Sequence, residues 1–263
     1  MTDLIVTRRH EAVLEILFNR PDKRNAITWP MMTALNAALI EAEKASGLRA
    51  VVLRGEGNGF CAGIDVGAFP EAAEHFGEGW RENLFPLTEA YQAVANRLER
   101  LALPTIAMLH GYCLGLGFEL ALACDFRIAA EGTRLGLPET RLGIIPDVGG
   151  TTRLVRLVGA GRAKEIIMTG KLVDLAAAER WGILNGLVPA EDLQARVDGL
   201  IDDLAQAAPL AVSHAKRVIN GMFDVERGLQ LEGWAQAQLM RSQDFEVGVQ
   251  AMLTRQPPSW TGR

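Results

Sequence analysis

The sequence predicts an α/β protein with an all-helical C-terminal region, and three observations carry the prediction. Short apolar runs at residues 49–54, 105–109 and 125–130, rich in branched side chains, read as buried strands. The first two leave through glycine-rich loops and helical stretches lie between the runs, so the chain passes from strand to helix three times. From about Leu193 onward the strand signal vanishes and apolar stripes at helical spacing take over. With 263 residues, 49% hydrophobic and 22% charged, the chain is long enough to bury one large core with an appendage.

Taken in order, residues 4–6 and 12–18 read as paired strands with their turn at 8–11. A polar loop at 19–25 carries Arg20, Lys23 and Arg24. Thr28, as N-cap, and Pro30 then open a helix that runs to about Lys44. After the strand at 49–54, a loop containing Gly55, Gly57, Gly59 and Gly63 leads to Ile64 and Asp65. Residues 66–83 are mixed in character and read either as a mobile flap or pocket wall or as an irregular surface connection. Residues 87–101 have the apolar spacing of a helix. A short strand near Leu135, turns at Pro138-Glu139 and Pro146-Asp147, helices at 151–157, 163–168 and 175–181, and a late strand at 184–188 complete the core. Four helices are expected beyond it, at 193–206, 211–222, 229–241 and 245–253, with apolar faces for the core or a neighbouring subunit. The change of character near Pro209 divides a core, 1–208, from a helical extension, 209–263.

Residues 104–125 organise the rest. A strand, a glycine turn through Gly111, Gly115 and Gly117, and a helix start follow one another, and Glu119 falls in the helix's first turn. Glu119 is the one Asp, Glu, Lys or Arg between Pro104 and Cys124. A carboxylate there is either a residue stabilised by the helix dipole or a group with chemistry to do. Two glycine loops after strands, at 62–65 and 115–117, could converge two backbone N–H groups on one carbonyl oxygen, and Glu119 with Glu139 supplies paired carboxylates for moving a proton on an adjacent carbon. The combination points to enolate chemistry.

Other classes lose ground. A net charge of −5 leaves no basic footprint for nucleic acid. Cys61, Cys113 and Cys124 are odd in number and lack metal-ligand or CxxC spacing, so they read as reduced core residues and no metal is expected. There is no nucleophile elbow and no dinucleotide fingerprint. The N-terminus has no cationic start before an apolar segment, and no apolar run of membrane length goes uninterrupted, so a cytoplasmic location without membrane attachment is expected. His10, His75, His110 and His214 lie in unlike contexts and none is assigned a role.

Five segments together resemble the enoyl-CoA hydratase/isomerase, or crotonase, family. They are Asn-Arg-Pro-Asp-Lys-Arg-Asn-Ala at 19–26, Phe-Cys-Ala-Gly-Ile-Asp at 60–65, His-Gly-Tyr-Cys-Leu-Gly-Leu-Gly-Phe-Glu at 110–119, Pro138-Glu139, and Leu-Gly-Ile-Ile-Pro-Asp-Val-Gly-Gly-Thr at 142–151. The resemblance implies a crotonase-like spiral of repeated ββα units with a helical oligomerisation region, assembled as a homotrimer or a dimer of trimers. It implies acyl-CoA thioester substrates, with coenzyme A part of the substrate and no resident cofactor.

Carried over by position, the N–H groups of Ile64 and Leu116 would hold the thioester carbonyl. Ala62 and Val66 would line the CoA path, with Gly63, Asp65 and Gly115 in the same loops. Arg24 would lie near the CoA entrance, and Arg255 would reach the CoA 3′-phosphate. Gly248, Ala251, Met252 and Trp260 follow the spacing of the family's last helix and tail. Glu119 would assist attack of water at the β-carbon, and Glu139 would deliver a proton to the α-carbon.

The chain departs from the pattern twice. Leu116 stands where glycine is usual, which keeps the N–H and narrows the pocket. Asp147 stands where short-chain hydratases carry glycine and dienoyl-CoA isomerases carry aspartate; it is either a third site carboxylate or the cap of a helix beginning near Gly149. The expected activity is that of a trans-2-enoyl-CoA hydratase of fatty acid metabolism. The alternatives are a 3,5-to-2,4-dienoyl-CoA or Δ3,Δ2-enoyl-CoA isomerase and, outside the enzymes, a non-catalytic acyl-CoA-binding protein.

Overall fold

The computed structural model describes residues 3–221 and 225–258. β1 (Ile5–His10) and β2 (Val13–Phe18) form an antiparallel hairpin. Its turn is at 11–12 rather than 8–11, because Arg8, Arg9 and His10 pair with Glu15, Leu14 and Val13. These exposed residues lie on an edge strand, where charge discourages further pairing and where no apolar alternation marks the strand in sequence. α1 (Trp29–Lys44) buries Met31, Met32, Leu35 and Leu39. Thr28 is its N-cap by position, but the hydroxyl makes no capping bond.

The remaining strands are β3 (Ala50–Gly55), β4 (Thr105–Leu109), β5 (Tyr112–Leu114), β6 (Phe126–Ala130), β7 (Arg134–Gly136), β8 (Leu172–Val173) and β9 (Gly186–Val188). The main sheet runs β1-β2-β3-β4-β6-β9 and is parallel from β2 onward, which is why its central strands are apolar on both faces. A second stack contains β5-β7-β8 and single bridges between Cys61 and Cys113 and between Ile27 and Ile64. The turns through β4, β5 and α4 and through β6, β7 and α5 each lay one strand in the main sheet and a shorter one in the second stack, and a helix closes the turn. β5 and β8, of three and two residues, are too short to leave a period in sequence.

The helices after α1 are α2 (Ala72–Phe76), α3 (Phe85–Arg100), α4 (Leu116–Ala123), α5 (Gly150–Thr169), α6 (Leu175–Arg180), α7 (Leu193–Gln206), α8 (Pro209–Gly221), α9 (Val225–Leu239) and α10 (Gln243–Thr254). α4 is buried along its whole length. α5 spans both helices expected at 151–157 and 163–168, with a break at Gly159 (φ 72°, ψ 167°). Among the described residues, no helix is long and apolar enough to cross a membrane.

The C-terminal helices behave unequally. α8 has no buried residue, and Leu210, Val218 and Ile219 lie exposed on it. α9 and α10 fold back: Ala237, Met240 and Phe245 form a small core with Ala72, Trp80, Leu84 and Ile144. The segment expected as flap or surface connection is thus packed as a cover, with Phe69 stacked on Trp80 and edge-on to Phe245. Trp260, and Met222 at the end of an expected helix, lie outside the described residues.

Candidate active site

The two glycine loops meet. Cys61 N donates to Tyr112 O (2.7 Å) and Leu114 N to Cys61 O (3.0 Å), and a Cβ on Gly63 would stand 3.7 Å from the Gly115 Cα. In the bridge to Ile27, Ile27 N donates to Gly63 O and Asp65 N to Ile27 O, both at 2.8 Å. The flanking residues make both bonds, so the N–H of Ile64 itself faces away from that bridge. Leu116 is the first residue of α4, where a backbone N–H has no acceptor within the helix. Two N–H groups with no acceptor inside their own elements thus belong to touching loops, and the Leu116 side chain is buried beneath them.

Two carboxyl groups share this place. Glu119, 2% exposed, sits in the first turn of α4, and its Oε1 accepts the N–H groups of Val148 and Gly150, each at 2.8 Å. Glu139 opens a four-residue 3-10 turn, Glu139–Leu142. Its Oε1 lies 3.0 Å from where a Cβ on Gly115 would be, and Gly115 holds φ 51°, so only glycine suits that position. Glu139 Oε2 is buried with no hydrogen-bond partner among the described residues. Burial pushes the Glu139 carboxyl up to about 8; a bond from its own backbone opposes the shift and the nearby Asp147 charge adds to it.

Gly149, which has no side chain to offer, is the N-cap of α5 by position. Asp147 Oδ2 accepts the hydroxyl of Thr88 (3.2 Å), and its carbonyl accepts Gln92 Nε2 (2.6 Å), both from α3. Burial first, and the Asp147 charge second, push the Tyr91 hydroxyl above its ordinary range.

Ile64, Leu116, Glu119, Glu139 and Asp147 line one cavity of about 50 Å³. Thr88 and Tyr91 of α3, Trp80 of the cover, Gln236 of α9 and Met240 just after it also line it. The sequence reading puts Trp80 in the segment expected as flap or pocket wall, and it missed the other four. The one signal available was polar Thr88 and Gln92 on the buried face of an amphipathic helix.

The other candidates lie outside the cavity. The Ala62 N–H donates to Arg24 O (3.0 Å), and Val66 starts a 3-10 turn. The Asp65 carboxylate is taken by Arg20 (3.1 Å) and by the Gly67 N–H. Arg24 is exposed, 5.3 Å from the centre of the Tyr112 ring, and Arg134 lies 5.7 Å from the same ring. Arg255 is an exposed left-handed residue ending α10. A roomier cavity of about 450 Å³ under α8 is walled by Leu122, Leu157 and Ile219. Its Lys216 pairs with Asp125, and its Arg153 and Arg156 pair with Glu99. Among the described residues its two acids, Glu99 and Asp125, are both paired, unlike Glu139 in the smaller cavity.

A sequence profile described as enoyl-CoA hydratase/isomerase matches residues 8–263. YngF of Bacillus subtilis, a relative named for that family, is 36% identical over 262 residues, covering 98% of each chain. The mitochondrial Delta(3,5)-Delta(2,4)-dienoyl-CoA isomerase of Dictyostelium discoideum is 30% identical over 94% of this chain and 86% of its own. The crystal structure of carnitinyl-CoA hydratase from Mycobacterium avium superposes with a TM-score of 0.85 at 32% identity, over the whole of both chains. The strand order, the second stack and these likenesses agree on a crotonase-fold architecture, and the chain belongs to the enoyl-CoA hydratase/isomerase family.

Proposed function

We propose that this enzyme is a trans-2-enoyl-CoA hydratase. The observation that carries the reading is the unequal pair of carboxyls in one cavity: Glu119 with backbone donors on Oε1, and Glu139 raised to about 8 with Oε2 unpaired. In the forward reaction a water oxygen bonds to the β-carbon while Glu119 takes a proton from it. The double-bond electrons move through the α-carbon onto the thioester oxygen, where the N–H groups of Ile64 and Leu116 hold the enolate. Such donors are worth ~3–4 kcal/mol each when charge develops on that oxygen in a dry site. The Glu139 carboxyl then gives its proton to the α-carbon and the carbonyl re-forms. The proton left on Glu119 returns to Glu139 through water before the next turnover.

A second reading, a 3,5-to-2,4-dienoyl-CoA or Δ3,Δ2-enoyl-CoA isomerase, is favoured by one observation, the third carboxylate, Asp147, that lines the same cavity as Glu119 and Glu139. A cavity of about 50 Å³ holds only one or two waters' volume, so a short acyl group suits the closed form and a long one requires the cover at 66–84 to move. The exposed apolar residues of α8 support a homotrimer or a dimer of trimers, with 209–221 lying against another copy.

The test is loss of enone absorbance on adding the protein to crotonyl-CoA and decenoyl-CoA, with Glu119→Gln and Glu139→Gln alongside. Hydration by the wild type and its loss in both variants supports the reading. Inertness there, with Asp147-dependent conversion of a 3,5-dienoyl-CoA, replaces it with the isomerase. Tight thioester binding with no rate that depends on Glu139 leaves only a binding protein.

A further inference from the structure

α3 carries a polar stripe where an amphipathic helix should be apolar. Thr88, Gln92, Asn96 and Glu99 recur at helical spacing, and all four bond to residues 147–153. Thr88 and Gln92 take the Asp147 side chain and carbonyl; Asn96 and Glu99 take Arg153.

Arg153 is 2% exposed, and its guanidinium is used on three sides. Nη2 donates to Asn96 Oδ1 (2.7 Å) and Glu99 Oε2 (2.9 Å), Nε to Glu99 Oε2 (3.2 Å), and Nη1 to the carbonyl of Val148 (3.0 Å). Burial works against the charge on Glu99, yet Arg153 and Arg156 together hold its carboxyl below the ordinary value. A Cβ on Gly149 would fall 1.7 Å from Arg153 Nη1, so the guanidinium occupies the space a side chain at 149 would need. The peptide held by Arg153, Val148–Gly149, lies between the two whose N–H groups reach Glu119: Val148 offers its carbonyl to Arg153 and its N–H to Glu119, and the N–H of Gly150 goes to Glu119 as well.

We propose that Arg153 is a positioning residue for Glu119: it clamps the 148–150 turn onto the polar stripe of α3, so that the Val148 and Gly150 amides stay aimed at the Glu119 carboxylate. The planar fork matters as much as the charge. Lysine would keep the ion pair with Glu99 but cannot span Asn96, Glu99 and the Val148 carbonyl at once. The inference rests on Glu119 being a catalytic group, and its test includes a readout that does not.

Amide hydrogen exchange at Val148 and Gly150 is measured by NMR in the wild type, in Arg153→Lys and in Arg97→Met. Arg97 lies on the same helix but turns to Asn36 and Glu43 of α1. In Arg153→Lys both amides are expected to exchange at least ~10-fold faster, while Ile128 and Ala129 of the central sheet keep their protection; Arg97→Met changes neither. On whichever enoyl-CoA the wild type turns over, Arg153→Lys is expected to lower kcat ~10–10²-fold with KM changed less than about threefold. Unchanged protection at Val148 and Gly150, or acceleration spread equally over the sheet, overturns the proposal. If the wild type turns over no enoyl-CoA, the function proposed above fails, and the exchange data still decide whether Arg153 holds the turn. Should Arg153→Lys not fold, Asn96→Ala, which removes one acceptor of the fork, is read the same way.

Discussion

Glu119 and Glu139 are the same residue type in one cavity, and the fold treats them oppositely. Glu119 stands on a helix buried along its length, and its Oε1 meets two backbone donors. Glu139 stands on a four-residue turn, and its Oε2 meets none. A carboxylate oxygen with two donors is a fixed acceptor, while a buried carboxyl without them keeps its proton to about pH 8 and has it to give. The difference arises in the backbone donors that each carboxyl meets, since both side chains line the same cavity.

The largest effect breaks the pair. Glu119→Gln and Glu139→Gln are each expected to lower kcat for hydration ~10²–10⁴-fold with modest change in KM, measured by enone absorbance. If either variant keeps its rate, the division of labour between the two is wrong. Gly115→Ala should cost ~10–10²-fold in kcat, because the new Cβ would press on Glu139 Oε1 from a backbone with positive φ. Both variants have to be shown folded by circular dichroism.

pH sharpens the comparison. Hydration needs the proton on Glu139, so kcat should fall as pH rises through about 8, whereas an isomerisation that uses Glu139 as base should rise over the same range. Asp147→Asn removes a negative neighbour, which moves that limb to lower pH and changes the rate at pH 7 only a few-fold. A rate profile flat from pH 6 to 9 would remove Glu139 from the proton transfer.

The smallest effect is on stability. The Glu139 carboxyl is raised from an ordinary value of 4.5 to about 8, so between those values the unfolded chain releases a proton that the folded chain keeps. Its contribution is fully present below about 4.5, declines as pH rises, and is gone above about 8. Glu139→Gln should therefore melt several degrees above the wild type at pH 8, with the gap closing near pH 5. Equal melting temperatures at pH 8 would mean that the carboxyl is hydrated in solution.

Much of this was legible along the chain. Thr105–Leu109 is an uninterrupted apolar strand in sequence and is buried at every position. Glu119 stood out as a lone charge in an apolar run, and it is buried. The two loops that meet at the cavity were legible as glycines after strands. Asp147 was not decidable locally, since Pro146-Asp147-Val148-Gly149-Gly150 suits a cap as well as a cavity wall. Thr88, 59 positions away, meets its carboxylate at the cavity wall. Gln236 and Met240 left no signal, because what brings them to the cavity is the return of α9 over the cover.

The sequence by itself determined the alternation of strand and helix, the glycine turns, the helical C-terminal region and the identity of the paired glutamates. All of these follow from periodicity and turn chemistry, which act between residues close along the chain. Only the tertiary structure decided that burial raises the Glu139 carboxyl, that Asp147 meets Thr88, and which arginine reaches the turn beside Glu119. Those depend on water excluded and donors supplied by residues remote in sequence, and neither is written in any local pattern.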